Sequence, residues 1–145
     1  MRISILLILL SFSCFAQKVE WLNNIDSAKI ESKAKSKLIL LKFSGSDWCA
    51  NCQYLDRMFF NSEIFKKFAP NHLVLLEADF PMRKGNKLSK DQQIHNEKLA
   101  EKFNKKGSFP LVIMLNEEGI MLGAITPSGK DIKGNIEKIK SFISK

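Results

Sequence analysis

The amino-acid sequence predicts an α/β domain in which a central mixed sheet of four strands carries helices on both faces. Three observations predict it. Four short apolar runs, at residues 38–43, 72–80, 111–115 and 120–125, are bounded by Gly, Pro, Asn and Ser signals and read as strands. The first three are separated by stretches of helical length, which calls for crossover connections and so for parallel pairing. Only Asn116-Glu117-Glu118-Gly119 stands between the last two, a hairpin turn that adds an antiparallel edge.

Residues 20–37 read as a helix that Asn24 or Asp26 could cap, with Lys29, Lys33, Lys35 and Lys37 on its wet face. The buried strand 38–43 follows, then Ser44-Gly45-Ser46 as a turn. Residues 49–60 are helical. Asn61-Ser62 marks a kink or restart before residues 63–68, and Pro70-Asn71 ends that piece. After the strand at 72–80 comes a basic loop, residues 81–90, around Gly85. The helix at 91–105 has Ile94, Leu99, Ala100 and Phe103 as its dry side. Gly107-Ser108-Phe109-Pro110 turns into the third strand, and the hairpin leads to the fourth. Ile132, Ile136, Ile139 and Ile143 fall at helical spacing, so residues 131–144 close the chain as an amphipathic helix.

The first residues read as a targeting segment. Arg2 precedes an apolar core at residues 3–10 that is too short to span a bilayer. Cys14-Phe15-Ala16 then offers small residues where a signal peptidase reads, so cleavage is expected after Ala16. This divides the chain into a signal peptide at 1–16 and one domain at 17–145, placed in the periplasm or secreted. A lipidated Cys14 fits less well, because Ser11-Phe12-Ser13 precedes it. Of the 145 residues, 129 remain, enough for one ordinary core, and the net charge falls from +8 to +7 with the loss of Arg2. Most of the excess is Lys and only Arg57 and Arg83 remain, so the charge reads as a solvated basic surface with no nucleic-acid partner.

The chemistry sits in Phe43-Ser44-Gly45-Ser46-Asp47-Trp48-Cys49-Ala50-Asn51-Cys52. Cysteines three apart at a helix start lie one turn apart on one face, where the sulfurs can meet. Unpaired N–H groups at a helix N-terminus favour a thiolate on the first, Cys49. With Cys14 removed no third thiol is left for a disulfide framework, and export makes oxidation of the pair possible. A static disulfide closing so short a loop would stabilise little. A structural metal site needs about four ligands. One Cys-x-x-Cys supplies two, and His72 and His95 have no partner at ligand spacing. The expectation is therefore a redox dithiol, with no metal and no cofactor.

Trp48-Cys49-Ala50-Asn51-Cys52 after a strand, with Phe109-Pro110 before the third strand, resembles the thioredoxin-fold family. Gly45-Ser46-Asp47-Trp48-Cys49, Asp79-Phe80-Pro81 and the basic insert resemble its exported bacterial members and the C-terminal thiol domain of transmembrane thiol-disulfide transporters. The resemblance spans the whole mature chain. It implies a thiol-disulfide oxidoreductase in which Cys49 is the exposed nucleophile and Cys52 the buried resolver. Trp48 would shield the pair, Pro110 would be cis and face it, and Phe109 would offer its backbone to an extended substrate.

Reduction of protein disulfides is the expected activity, with oxidase or isomerase activity and a non-catalytic binding module as the rivals. Expected partners are proteins with disulfides or thiols and a membrane thiol relay as electron donor, with the chain itself a monomer. Two departures stand out. Family members commonly carry a buried Asp or Glu six residues before the first Cys to move the resolving thiol's proton, and that position here is Phe43. Lys42, Glu77 and Asp79 are the candidates to stand in. The dipeptide Ala50-Asn51 has neither the proline that stiffens the helix start nor the His found in strong oxidants. The insert 81–90 reads as a solvated loop.

Overall fold

The structure, a computed structural model, describes residues 19–144. The expected leader at residues 1–16, Cys14 included, lies outside them. Among the described residues no helix is long and apolar enough to cross a membrane. The elements in chain order are β1 (Trp21–Leu22), α1 (Ile25–Lys35), β2 (Leu38–Ser44), α2 (Ala50–Leu55), α3 (Glu63–His72), β3 (Leu73–Asp79), α4 (Lys90–Phe103), β4 (Leu111–Leu115), β5 (Met121–Ile125) and α5 (Ile132–Ile143).

They build a mixed sheet in the order β1-β3-β2-β4-β5 with helices on both faces. Two features differ from the expectation. A fifth strand, β1, pairs parallel with β3 at Trp21–Leu75 and Leu22–Leu76. It takes the place of the first turn read into the opening helix, because Asn24 caps α1 and accepts hydrogen bonds from Asp26 N and Ser27 N. The second feature is direction: β4 runs antiparallel to β2. The long connection from β3 leaves and re-enters at one end of the sheet. Asn96 donates to Asp79 O at 2.8 Å where β3 ends, and Asn104 pairs with Ser108 just before β4 begins. A strand that starts where its predecessor stopped must run back.

Side chains of β2 alternate between two cores. Ile39, Leu41 and Phe43 pack with Ala28 of α1 and Leu99 of α4. Leu40 packs on the other face with Leu55 of α2, Phe65 and Phe68 of α3, and Ile136 and Ile139 of α5. A strand covered on both faces explains its unbroken apolar run.

Helical boundaries follow local chemistry. After α2 the helix widens into one π turn, Asp56–Phe60, with Asn61 N bonded to Asp56 O at 2.8 Å. The extra residue lets adjacent Phe59 and Phe60 both reach the core. Ser62 then caps α3, accepting from Phe65 N. That helix runs through Pro70 to His72 instead of stopping at it; Pro70 sits in the last turn, where its missing N–H breaks a single ladder bond. On α4 the buried positions are Asn96 and Leu99, while Ile94 is exposed. Leu99, Ala100 and Phe103 face the core as expected, and Asn96 is buried with them through its bond to Asp79 O.

The alternation of β2 also buries a charge. Lys42 is 4 % exposed. Its Nζ lies 2.7 Å from Asp56 Oδ1 and 2.9 Å from Glu77 Oε1. The rings of Trp21 and Phe60 sit 4.5 and 5.0 Å away, in cation–π range. Lys42 and Glu77 are register partners on parallel strands and so share a face. Burial pushes the Glu77 carboxyl above its ordinary value; the attraction of Lys42 opposes this, and the charges of Asp56 and Asp79 add to it.

Lys42→Met should destabilise the fold by about 2–3 kcal/mol, less than the 3–5 of a fully buried pair because both carboxylates keep partial solvent access. A raised carboxyl pKa favours the fold at low pH and costs it as pH rises through that pKa. Losing Lys42 raises Glu77 further. The loss should therefore be smallest in acid, growing from the ordinary glutamate range upward, in urea unfolding measured across pH.

Candidate active site

The turn at residues 45–49 carries the chain from β2 into α2, and both cysteines sit where it ends. Cys49 N donates to Gly45 O at 2.8 Å, which closes the turn. Cys49 is the N-cap of α2, and its Sγ accepts from Cys52 N at 3.2 Å. A sulfur replaces the usual cap oxygen, so the donor that satisfies the helix end also faces the reactive atom. Cys49 and Cys52 form a disulfide with Cα atoms 5.2 Å apart. The cysteine expected to be exposed is itself buried in this oxidised form, yet remains the more open of the two, 6 % exposed against 1 % for Cys52.

Trp48 lies across the turn, 44 % exposed. Its indole N–H donates to Phe80 O at 2.7 Å, and its ring meets Phe109 edge-on at 5.4 Å. Phe109 in turn meets Phe80 at 5.5 Å. Gly45 makes room for this: a Cβ there would come within 2.3 Å of the Trp48 ring. The Phe109–Pro110 peptide is cis. These two residues come just before Leu111, the register partner of Phe43. The structure therefore brings Trp48, Cys49, Cys52, Phe109 and Pro110 to one end of the sheet.

Three polar side chains hold this end together through partners that the sequence does not show. Asp47, buried beside Trp48, accepts from Met82 N, Arg83 N and Asn86 Nδ2, each at 2.9 Å. The Met82 bond, foremost, holds its carboxyl below the ordinary value; desolvation opposes this, and Asn86 and Arg83 reinforce it. Asp79 accepts from Ser46 N, Ser46 Oγ and Phe80 N. Buried Asn104 exchanges two hydrogen bonds with the backbone of Ser108, just before Phe109. In sequence, an Asp or Asn in a turn signals only the turn itself.

The insert 81–90 is solvated along most of its length, as expected, but it is tied down. Asp47 grips residues 82–86, and Gln93 of α4 donates to Leu88 O at 2.7 Å.

The reading of Phe43 as the vacant proton-shuttle position is also corrected. Phe43 packs with Ile39, Leu41 and Leu99, on the sheet face opposite α2. Its neighbours Lys42 and Ser44 point to the α2 side, and Lys42 bonds Asp56, one turn beyond Cys52. Of the stand-ins considered, Lys42 and Glu77 are paired beneath α2, whereas Asp79 is spent on the turn. Asp56 joins them through Lys42, a contact with no local signal in the sequence. Among the described residues no His, Cys, Asp and Glu cluster suits a metal ion. His95 instead accepts from Ile25 N through Nε2 at 3.0 Å, and His72 stacks on Phe68.

Comparison with known proteins converges on this geometry. A family model described as thioredoxin-like matches residues 20–117. The chain is 30% identical over 128 residues to the disulfide bond reductase DsbH of Chlamydia pneumoniae, covering 88% of this chain and 75% of that protein. The solved structure of a DsbH oxidoreductase superposes with a TM-score of 0.77 at 31% identity, covering 89% of this chain and 87% of that one. A disulphide isomerase from Xylella fastidiosa Temecula1 has a TM-score of 0.60 at 18% identity, covering 80% and 88%, and so shares the fold.

Two outcomes follow from the site. Phe43→Asp should cost roughly 4 kcal/mol or more, since it removes a core ring and buries a carboxyl. It should not speed reduction of a model disulfide, because the new acid faces away from α2. Asp47→Ala should free the insert, seen at neutral pH as faster hydrogen exchange of the Met82 and Arg83 amides. A depressed carboxyl pKa gives stability that is present above the ordinary value and lost as pH falls through the depressed one. The parent should therefore show the same release of those amides only in strong acid.

Proposed function

We propose that this chain, a thiol-disulfide oxidoreductase that belongs to the thioredoxin-like family, is exported and reduces disulfides of other proteins. The observation that carries the reading is the Cys49–Cys52 disulfide at the start of α2, with the Cys52 N–H aimed at Cys49 Sγ. The description of the Chlamydia relative as a disulfide bond reductase supports the direction. Export rests on the leader read at residues 1–16.

In the reduced enzyme the Cys49 thiolate attacks one sulfur of a substrate disulfide. An enzyme–substrate disulfide forms, and the other substrate sulfur leaves as a thiolate, which takes up a proton. Cys52 loses its proton and attacks Cys49 Sγ, which closes the Cys49–Cys52 bond and releases the second substrate thiol. Two electrons pass from the enzyme dithiol to the substrate, and a membrane dithiol relay returns two by the same exchange with the Cys49–Cys52 disulfide, becoming oxidised itself. The N–H at the helix cap stabilises negative charge on Cys49 before attack. Trp48 shields the pair. Phe109 and Pro110 present an edge at which an extended substrate segment adds as a strand. Asp56 and Glu77 are the acids on the α2 side available to accept the Cys52 proton.

Alkylation of the reduced protein near neutral pH should label Cys49 first. Cys49→Ser should abolish reduction, and Cys52→Ser should trap substrates as mixed disulfides recoverable without reductant. Complete absence of such adducts would favour the binding-module reading. Equilibration with glutathione should place the couple nearer the about −270 mV of thioredoxin than the about −120 mV of a strong oxidant; a value at the latter end would make it an oxidase.

A further inference from the structure

Beside Trp48 the described surface holds a groove of about 540 Å³ whose floor is Trp48, Phe80 and Phe109. Its outer wall is the insert, which contributes Met82, Arg83, Lys84 and Lys87, and its far side is α4. The wall is built, not draped. Asp47, two residues before the nucleophile, fixes it at residues 82–86, and Gln93 fixes it at Leu88. Its charge is one-sided: residues 81–90 include Arg83, Lys84, Lys87 and Lys90 and no acid. Arg83, Lys84 and Lys87 form no ion pair among the described residues. Arg83 lies near the already engaged Asp47, which leaves the two lysines as the free cations of the rim. Of the lining acids, Asp79 is turned to Ser46 and Phe80 N, and only Glu97 opposes them. Met82 is 75 % exposed at the mouth.

We propose that this groove binds the stretch of a substrate polypeptide next to its reacting cysteine, and that it selects an apolar side chain followed by acidic ones. This deepens the reductase reading and rests on it. The aromatic floor takes the apolar side chain, in direct continuity with Trp48 and hence with Cys49. The lysine rim takes the carboxylates, since charge complementarity sets both encounter rate and choice of partner. Asp47 makes the selection rigid by tying the rim to the turn that carries the nucleophile.

The test uses two disulfide-linked peptides of equal length, each with a leucine beside the cysteine. One continues in glutamates, the other in lysines. Bis(2-hydroxyethyl) disulfide serves as a charge-free control. The full mature chain should reduce the acidic peptide with a kcat/KM about tenfold higher, a preference that narrows in ~1 M salt, where the screening length is about 3 Å. Lys84→Glu with Lys87→Glu should invert the ratio. Both side chains are exposed, and the wall's ties to Asp47 come from Met82, Arg83 and Asn86, so the variant keeps its wall. Lys84→Glu alone should give an intermediate ratio. Equal rates in the parent, or a ratio that both variants leave unchanged, overturns the proposal. So does an unchanged ratio accompanied by lost binding to phosphatidylglycerol vesicles, which would assign the lysines to a membrane surface. If the parent fails to reduce even the small control, the reductase reading itself falls.

Discussion

Everything at the reactive end depends on keeping a short turn rigid between a fixed strand and a short helix. Residues 45–49 leave β2, which is paired on both sides and buried on both faces, and must deliver Cys49 to the cap of a six-residue helix. A turn has few backbone partners of its own, so side chains supply them. Asp79 holds Ser46 from β3, Gln53 reaches back to Ser46 O, and Trp48 bonds Phe80 O. Asp47 works in the opposite sense, holding a distant segment to the turn. Each tie uses an ionised or amide group that is well satisfied, which is the condition under which polar groups near a core rigidify a structure.

The two faces of the sheet divide the labour. The α1/α4 face is apolar around Phe43 and serves packing. The α2 face carries the ionised set Lys42, Asp56 and Glu77, enclosed by Trp21 and Phe60. A buried Lys is costly unless paired, and here it has two carboxylates and two ring faces. That requirement accounts for the smallest element of the fold. Strand β1 is two residues long, yet it delivers Trp21 onto Lys42 and to an edge-on contact with Phe60 at 5.2 Å.

The segment around Phe109 is held by ties of the same kind. Trp48 joins the turn to Phe109, and Asn104 steadies the segment leading into Phe109 and Pro110. The insert beside them is long and basic but fixed at both ends. A loop held in this way loses little entropy when something binds to it, so its charges act as a preset surface.

The chain itself determined the strand–Cys-x-x-Cys–helix unit, because a helix cap and an apolar run are local patterns whose physics spans only a few residues. It also determined the strands at 38–43 and 111–115, as short apolar runs bounded by turn residues, and the closing helix, from its hydrophobic period. The tertiary structure decided what depends on a remote partner. Phe43 and Lys42 are adjacent in sequence, and only coverage by α2 on one side and by α1 and α4 on the other says which faces the cysteines. Asp47 reads as a turn residue until amides 35 and 36 positions away arrive to meet its carboxylate. The direction of β4 was invisible for the same reason: a crossover of helical length suggests parallel return, but the register sets the end of β3 and the start of β4 beside the same residue, Phe43. Local pattern fixes what an element is. Long-range hydrogen bonds and burial fix which way it faces and what it touches.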